Sequence, residues 1–328
     1  MLRRTLGAGG PAVSAIGLGC MGMSEFYGPR DDEGSRATLA AALDHGIDFF
    51  DTADTYGIGH NEELIGGFLK GRAGRVTVAT KFGIVREAGR YDRRIDNSPA
   101  HIRQACDASL RRLGVEAIDL YYLHRRDPAV PIEEAAGAMA RLVDAGKVRR
   151  LGLSEISVQT LRRAHAVHPI AAVQSEYSLW SREPEGGMLA ACAELGVAFV
   201  AYSPLGRAFL TGTVAGADGL AENDFRRQNP RFQGDALDQN LTLARRLADF
   251  AVARGATPAQ VALAWILARH PHVIPIPGTK RARYLAENAA AADIALSAAE
   301  VATLDRLFAP AAVAGGRYTP EGMKGIET

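Results

Sequence analysis

The 328 residues carry 47% hydrophobic and 23% charged side chains with a formal net charge of +1, a balance that excludes disorder and gives no electrostatic footprint for nucleic acid. Cys20, Cys106 and Cys192 lie far apart without a C-x-x-C pair, which points to reduced thiols in the cytoplasm and no disulfide framework. The opening Met1-Leu-Arg-Arg-Thr-Leu-Gly lacks the apolar run of a signal peptide, and no window approaches eighteen consecutive apolar residues, so no membrane span is expected.

In chain order, Leu2 to Arg4 and Ala12 to Ser14 flank Gly7-Ala-Gly-Gly10 and predict a β-hairpin ahead of the repeating units, placed at the floor of what they build. Strands are predicted at 14–18, 47–51, 76–80, 118–123, 149–153, 171–174, 197–202 and 272–276. Their junctions share a cadence of apolar-periodic helix, helix-closing glycine and short apolar run, at Gly46 before Ile47, Gly114 before Ile118, Gly146 before Val148 and Gly196 before Val197. Helix starts are marked by Ser98-Pro99, by Thr257-Pro258 and by the capping box Ser297-x-x-Glu300. Eight alternating units predict an α/β fold, a (β/α)8 TIM barrel with an N-terminal β-hairpin at its floor, as a single domain over 1–328. Residues 206–235 and 309–328 stand outside the cadence as a long loop and a tail, and the alanine-rich 289–293 reads as helix.

Gly17-Leu-Gly19-Cys-Met-Gly22 matches G-x-G-x-x-G after an apolar run, but Gly28-Pro29 breaks the helix that a dinucleotide fingerprint requires. The stronger signal is polar residues at strand ends. Asp51, Lys81 and His124 each close a predicted strand, and Tyr56 lies on the loop after Asp51, which gathers all four at the carboxyl-end mouth where barrel sites are built. Taken singly, Asp51 reads sooner as a strand-end cap, Tyr56 as a half-buried aromatic, Lys81 as a solvated charge and His124 as a core histidine. Taken together, they suit proton transfer to a carbonyl: Lys81 lowers the phenol pKa of Tyr56, Asp51 holds Lys81 charged, and His124 donates to the developing oxyanion.

With Phe50-Asp51-Thr-Ala-Asp-Thr-Tyr56-Gly57, Thr80-Lys81, Leu123-His124, Gly152-Leu-Ser154, Gln174-Ser-Glu-Tyr177-Ser178, Tyr202-Ser-Pro-Leu-Gly206 and Ile276-Pro-Gly-Thr279 in order, the chain resembles the aldo-keto reductase superfamily, of the bacterial NADP-dependent type, over essentially its whole length. The resemblance implies a catalytic tetrad of Asp51, Tyr56, Lys81 and His124 that reduces aldehydes or ketones with NADPH, after ordered binding of cofactor and then carbonyl. It implies cofactor contacts at Gly22 and Met23, carboxamide contacts from Ser154 and Gln174, stacking by Tyr202, and a pyrophosphate lined by Ser203, Leu205 and Arg207. The adenine end is expected at Gly278, Thr279, Lys280, Arg283, Glu287 and Asn288, where cations at a helix start favour a 2′-phosphate and hence NADPH over NADH. Two positions depart from the family pattern: Glu155 stands where many relatives have asparagine, and Tyr284 stands where an arginine is common, with Arg283 displaced by one.

An alternative from a different class is an NADPH-binding, redox-sensing regulatory subunit with little turnover, against which the intact tetrad argues. His165-x-x-His168 and His270-x-His272 lack a carboxylate or cysteine at ligand spacing, so no metal is expected. Phe26, Tyr27, Phe82 and Trp180 are candidate pocket walls or core residues, and Arg125-Arg126 after His124 hints at polar or anionic carbonyl substrates. No heptad or apolar stripe indicates an oligomeric state.

Overall fold

The computed structural model describes every residue except 73, 88–89, 91–92, 215–218, 221–223 and 328, so parts of the predicted 206–235 loop lie outside the described residues. The chain opens with the antiparallel hairpin β1 (Arg3–Thr5) and β2 (Ala12–Ser14). Strands β3 (Leu18–Gly19), β4 (Phe49–Asp51) and β5 (Thr77–Phe82) follow. A second hairpin, β6 (Ile84–Arg86) and β7 (Arg93–Ile95), rises from the end of β5 and was not legible in the sequence. Then come β8 (Leu120–Leu123), β9 (Leu151–Ser154), β10 (Ile170–Glu176), β11 (Ala198–Tyr202) and β12 (Val273–Pro275). Leaving out the two hairpins, the remaining eight strands pair in parallel in chain order.

Closure is made where first and last strands meet: the Gly17 N–H donates to the Pro275 carbonyl at 2.9 Å and that of Gly19 to Pro277 at 3.3 Å. A Cβ on Gly17 would fall 2.8 Å from the Phe49 side chain, and one on Gly19 would fall 2.8 Å from the Ile276 carbonyl. The Gly-Leu-Gly pair is therefore the seam of a barrel. After it, Met21–Met23 makes one 3-10 turn, and α1 (Asp32–Asp44) begins only where the Asp31 carboxylate accepts the Gly34 N–H at 2.9 Å, so no dinucleotide fingerprint forms.

Helices α2 (His60–Leu69), α3 (Pro99–Leu113), α4 (Ile132–Asp144), α5 (Val158–Val167) and α6 (Met188–Leu195) cross between successive strands. They are followed by α7 (Gly234–Ala253), α8 (Pro258–Arg269), α9 (Ala282–Ala290) and α10 (Ala298–Leu307). Their ends obey the sequence signals. Ser98 caps α3, Thr257 and Ser297 form capping boxes with Gln260 and Glu300, and Gly114 closes α3 at φ 64°. No single helix among the described residues is long and apolar enough to cross a membrane.

The N-terminal hairpin fills the floor as expected. Leu6 and Val13 pack with Phe49, Leu120, Tyr122 and Ile274 inside the barrel, and the Arg4 guanidinium donates to the carbonyls of Leu267 at 2.6 Å, His270 at 2.8 Å and Val273. Ser14 belongs to this hairpin, its N–H held by Asp48 at 2.7 Å, which is why the first barrel strand starts at Leu18 and not at residue 14. The tight seam predicts that Gly19→Ala costs about 1–3 kcal/mol by overpacking. It is read as a lower urea midpoint at unchanged m-value; wild-type stability would show the seam has slack.

Candidate active site

The carboxyl ends of the strands open into a cavity of about 440 Å³ whose wall includes Asp51, Tyr56, His124, Gln174 and Tyr202. Asp51 is the last residue of β4, Lys81 the penultimate residue of β5, and His124 follows β8. Tyr56 sits in a turn braced by the Asp54 N–H on the Lys81 carbonyl at 3.0 Å and by the Asn61 N–H on its own carbonyl at 3.2 Å. The Lys81 ammonium donates to the Asp51 carboxylate, to the Thr52 carbonyl at 2.7 Å and to the Tyr56 hydroxyl at 3.2 Å. Its three donors are thereby committed, and the other Asp51 oxygen accepts from Gln174 Nε2 at 2.7 Å. The Tyr56 and His124 rings stand edge to face, 5.9 Å apart.

Lys81 is fully buried and Asp51 is 3% exposed. Burial pushes the lysine pKa down and the aspartate pKa up, each opposed by the partner's charge. Burial, and after it the Asp51 charge, raises the Tyr56 phenol well above its ordinary range, so the expected lowering by Lys81 is not the net result. The phenol is thus held protonated at neutral pH. Burial, then Arg125 and Lys81, pushes His124 well below its ordinary value, leaving a neutral imidazole. Its Nδ1 is buried without a partner.

Gly22, Ser203, Leu205 and Arg207 line the same cavity, and Gly278, Thr279, Lys280, Glu287 and Asn288 line its far end. Met23 is instead part of the core. Ser154 lies behind the wall, its hydroxyl accepting from Arg125 Nη1 at 3.2 Å. Arg283 turns to the Tyr284 hydroxyl at 2.6 Å, whereas Arg281 and Tyr284 reach the cavity. Lys280 donates to the carbonyls of Tyr27 at 2.9 Å and Pro29 at 2.6 Å, tying the first loop to the last. Arg207 is neutralised within the protein by Glu176 at 2.6 Å and lies 4.3 Å from the Tyr318 ring.

Phe26 and Tyr27 are walls, but Phe82 stacks on Tyr121 and Trp180 packs on Phe209 in the core. The His165 and His168 side chains meet backbone groups, as does His272, and no group of three or more His, Cys, Asp or Glu among the described residues is arranged for a metal ion.

Sequence reasoning missed the cavity residues Glu25, Arg86 and Arg93 and, from the long loop and the tail, Phe225 and Tyr318. Glu155 explains why the tail is there. Buried at φ 54°, it accepts two bonds from the Arg317 guanidinium, at 3.2 and 2.8 Å, while its carbonyl accepts the Glu327 N–H at 2.9 Å. Next in the tail, the Tyr318 hydroxyl meets that of Tyr202 at 3.0 Å. The one signal in the sequence was the departure from the family pattern at Glu155, on which the tail is anchored. Among the described residues, the non-glycine residues with positive φ are Phe26, Ile58, Glu155, Ser203, Arg207 and Ala208, all on loops at this end of the barrel.

A closed parallel barrel with a buried Lys–Asp pair, a protonated phenol and a neutral imidazole at its carboxyl end is the framework of a proton-handling enzyme site. The chain belongs to the aldo/keto reductase family, whose model matches residues 15–309. It is 45% identical over 317 residues to the NADP(+) aldo-keto reductase yakc of Schizosaccharomyces pombe, covering 95% of this chain and 93% of that protein. Among solved structures it resembles a glycerol dehydrogenase from Gluconobacter oxydans, with 31% identity, a TM-score of 0.84 and coverage of 92% of this chain and 94% of that one. It also resembles an aldo/keto reductase from Klebsiella pneumoniae in complex with NADP and acetate, with 32% identity, a TM-score of 0.74 and coverage of 97% and 99%.

The depressed His124 pKa has a consequence for stability. The unfolded imidazole binds a proton below about pH 6.5, where the folded one does not, so stability is full above that pH and falls as the pH drops toward the folded pKa. Denaturant titrations at pH 7.5 and 5.5 are expected to show a loss smaller by about 1 kcal/mol in His124→Gln than in the wild type. Equal losses would mean that the folded His124 titrates normally.

Proposed function

We propose that the protein reduces aldehydes and ketones to alcohols with NADPH, and oxidises alcohols in the reverse direction, in the cytoplasm. The observation that carries this reading is the Tyr56 hydroxyl, at the cavity wall and 3.2 Å from an ammonium locked by Asp51. A nicotinamide cofactor fits the residues present: the cavity runs without interruption from Tyr56 and Gln174 to Lys280, Arg281 and the start of α9, where unpaired backbone donors and cations suit a phosphate. The names of the yeast relative and the Klebsiella complex, which both include NADP, support the same cofactor.

Gln174 and Tyr202 would hold the nicotinamide end, Ser203 and Leu205 the phosphates, and Arg281 with Lys280 the adenine end. When bound, the cofactor supplies the hydride that the carbonyl carbon accepts. Tyr56 donates its proton to the carbonyl oxygen as negative charge develops there on hydride transfer. The Lys81 ammonium stabilises the phenolate left behind, and neutral His124 donates an N–H bond to the same oxygen. Asp51 keeps Lys81 charged in a site where burial favours its neutral form.

The test follows NADPH absorbance with benzaldehyde as substrate, and NADPH binding by quenching of protein fluorescence. Tyr56→Phe is expected to bind NADPH as the wild type does and to lose turnover by about 100-fold or more. Undiminished turnover would remove Tyr56 as the acid. A wild type that binds NADPH but turns over no carbonyl would favour the redox-sensing reading instead.

A further inference from the structure

Four carboxylates around the mouth are already committed to cations: Asp51 to Lys81, Glu25 to Arg86, Glu155 to Arg317 and Glu176 to Arg207. Arg125 is different. It is 5% exposed and lines the cavity beside Tyr56 and His124, yet among the described residues no carboxylate lies within salt-bridge distance of it, and the Glu155 charge that reaches it is already paired with Arg317. Nη1 donates to the His124 carbonyl at 2.7 Å and to the Ser154 hydroxyl at 3.2 Å, while Nε is buried with no partner. Arg4, another buried guanidinium, is by contrast satisfied by three backbone carbonyls at the floor. A buried cation is normally paired, and the planar guanidinium fork matches a carboxylate.

We propose that Arg125 selects carbonyl substrates that bear a carboxylate, completing its ion pair with the substrate's anionic group while the carbonyl faces Tyr56 and His124. This inference rests on the reductase reading. It also separates the two arginines of the pair: Arg126 is taken by Glu327 at 3.1 Å and by the carbonyls of Asp127 and Val130, and contributes nothing to the cavity wall.

The experiment compares 2-, 3- and 4-carboxybenzaldehyde with their methyl esters, which share ring and aldehyde but lack the charge. In the wild type, kcat/KM for the best acid is expected to exceed that of its ester by about tenfold or more, mainly through KM, as suits a hydrogen-bonded pair to a charged group. In Arg125→Met the acid-to-ester ratio should fall to about one, and in Arg125→Lys it should be intermediate. Because the ratio is internal to each variant, a general loss of activity does not affect it. NADPH quenching, unchanged in Arg125→Met, verifies that the variant is folded. Turnover of the esters without any preference for acids in the wild type would overturn the inference and leave the reductase reading intact, as would a preference that survives in Arg125→Met. Weakened NADPH binding with an unchanged ratio would assign Arg125 to the cofactor and overturn it too. No turnover of acid or ester would overturn both readings.

Discussion

Everything at the mouth of this barrel is arranged around one buried ion pair, Lys81 with Asp51. Two charges out of water are costly, and attraction alone seldom compensates. Here each remaining hydrogen-bonding position is filled: Thr52 and Tyr56 take the other ammonium protons, and Gln174 takes the second carboxylate oxygen. The pair requires that β4 and β5 run parallel in register, with Asp51 opposite Ala79, so that the lysine two residues on reaches back to the aspartate. On its other edge β4 pairs in parallel with β3, the strand that closes the barrel at the glycine seam. Fold and site are one constraint seen at two scales.

The rim around the pair comes from segments far apart in sequence. Glu155, in a left-handed conformation that a glutamate seldom adopts, anchors the tail through Arg317, and the tail brings Tyr318 against Tyr202 and Arg207. The departure at Glu155 thus links the barrel to the tail. Its carboxylate is paired with Arg317, and Arg125, which feels the same charge, makes no ion pair of its own among the described residues.

The barrel was legible because its signals are local. Glycine after each helix, capping serines and threonines, and short apolar runs act within a few residues, and the strand ends then placed Asp51, Lys81 and His124 on one face. Hairpin β6–β7 was missed because its partners, 84–86 and 93–95, carry arginines and show no alternating apolar pattern. The first strand was begun too early because Ser14 serves the floor hairpin. Arg281 reaches the cavity and Arg283 does not, since helical phase decides which cation at the start of α9 faces inward, and phase at a helix's first turn is poorly set by sequence. Tyr318 lies more than one hundred residues from the tyrosine it meets, and nothing local announces such a contact.

The central claim is that the buried ammonium sustains proton donation by Tyr56, and Lys81→Met tests it most directly, with Tyr56 and His124 left in place. Initial rates of NADPH oxidation with benzaldehyde are expected to fall by about 100-fold or more, with NADPH binding within about threefold of wild type. Turnover close to wild type in a variant that binds NADPH normally would contradict the account, because the phenol would then act without the cation on which it depends here.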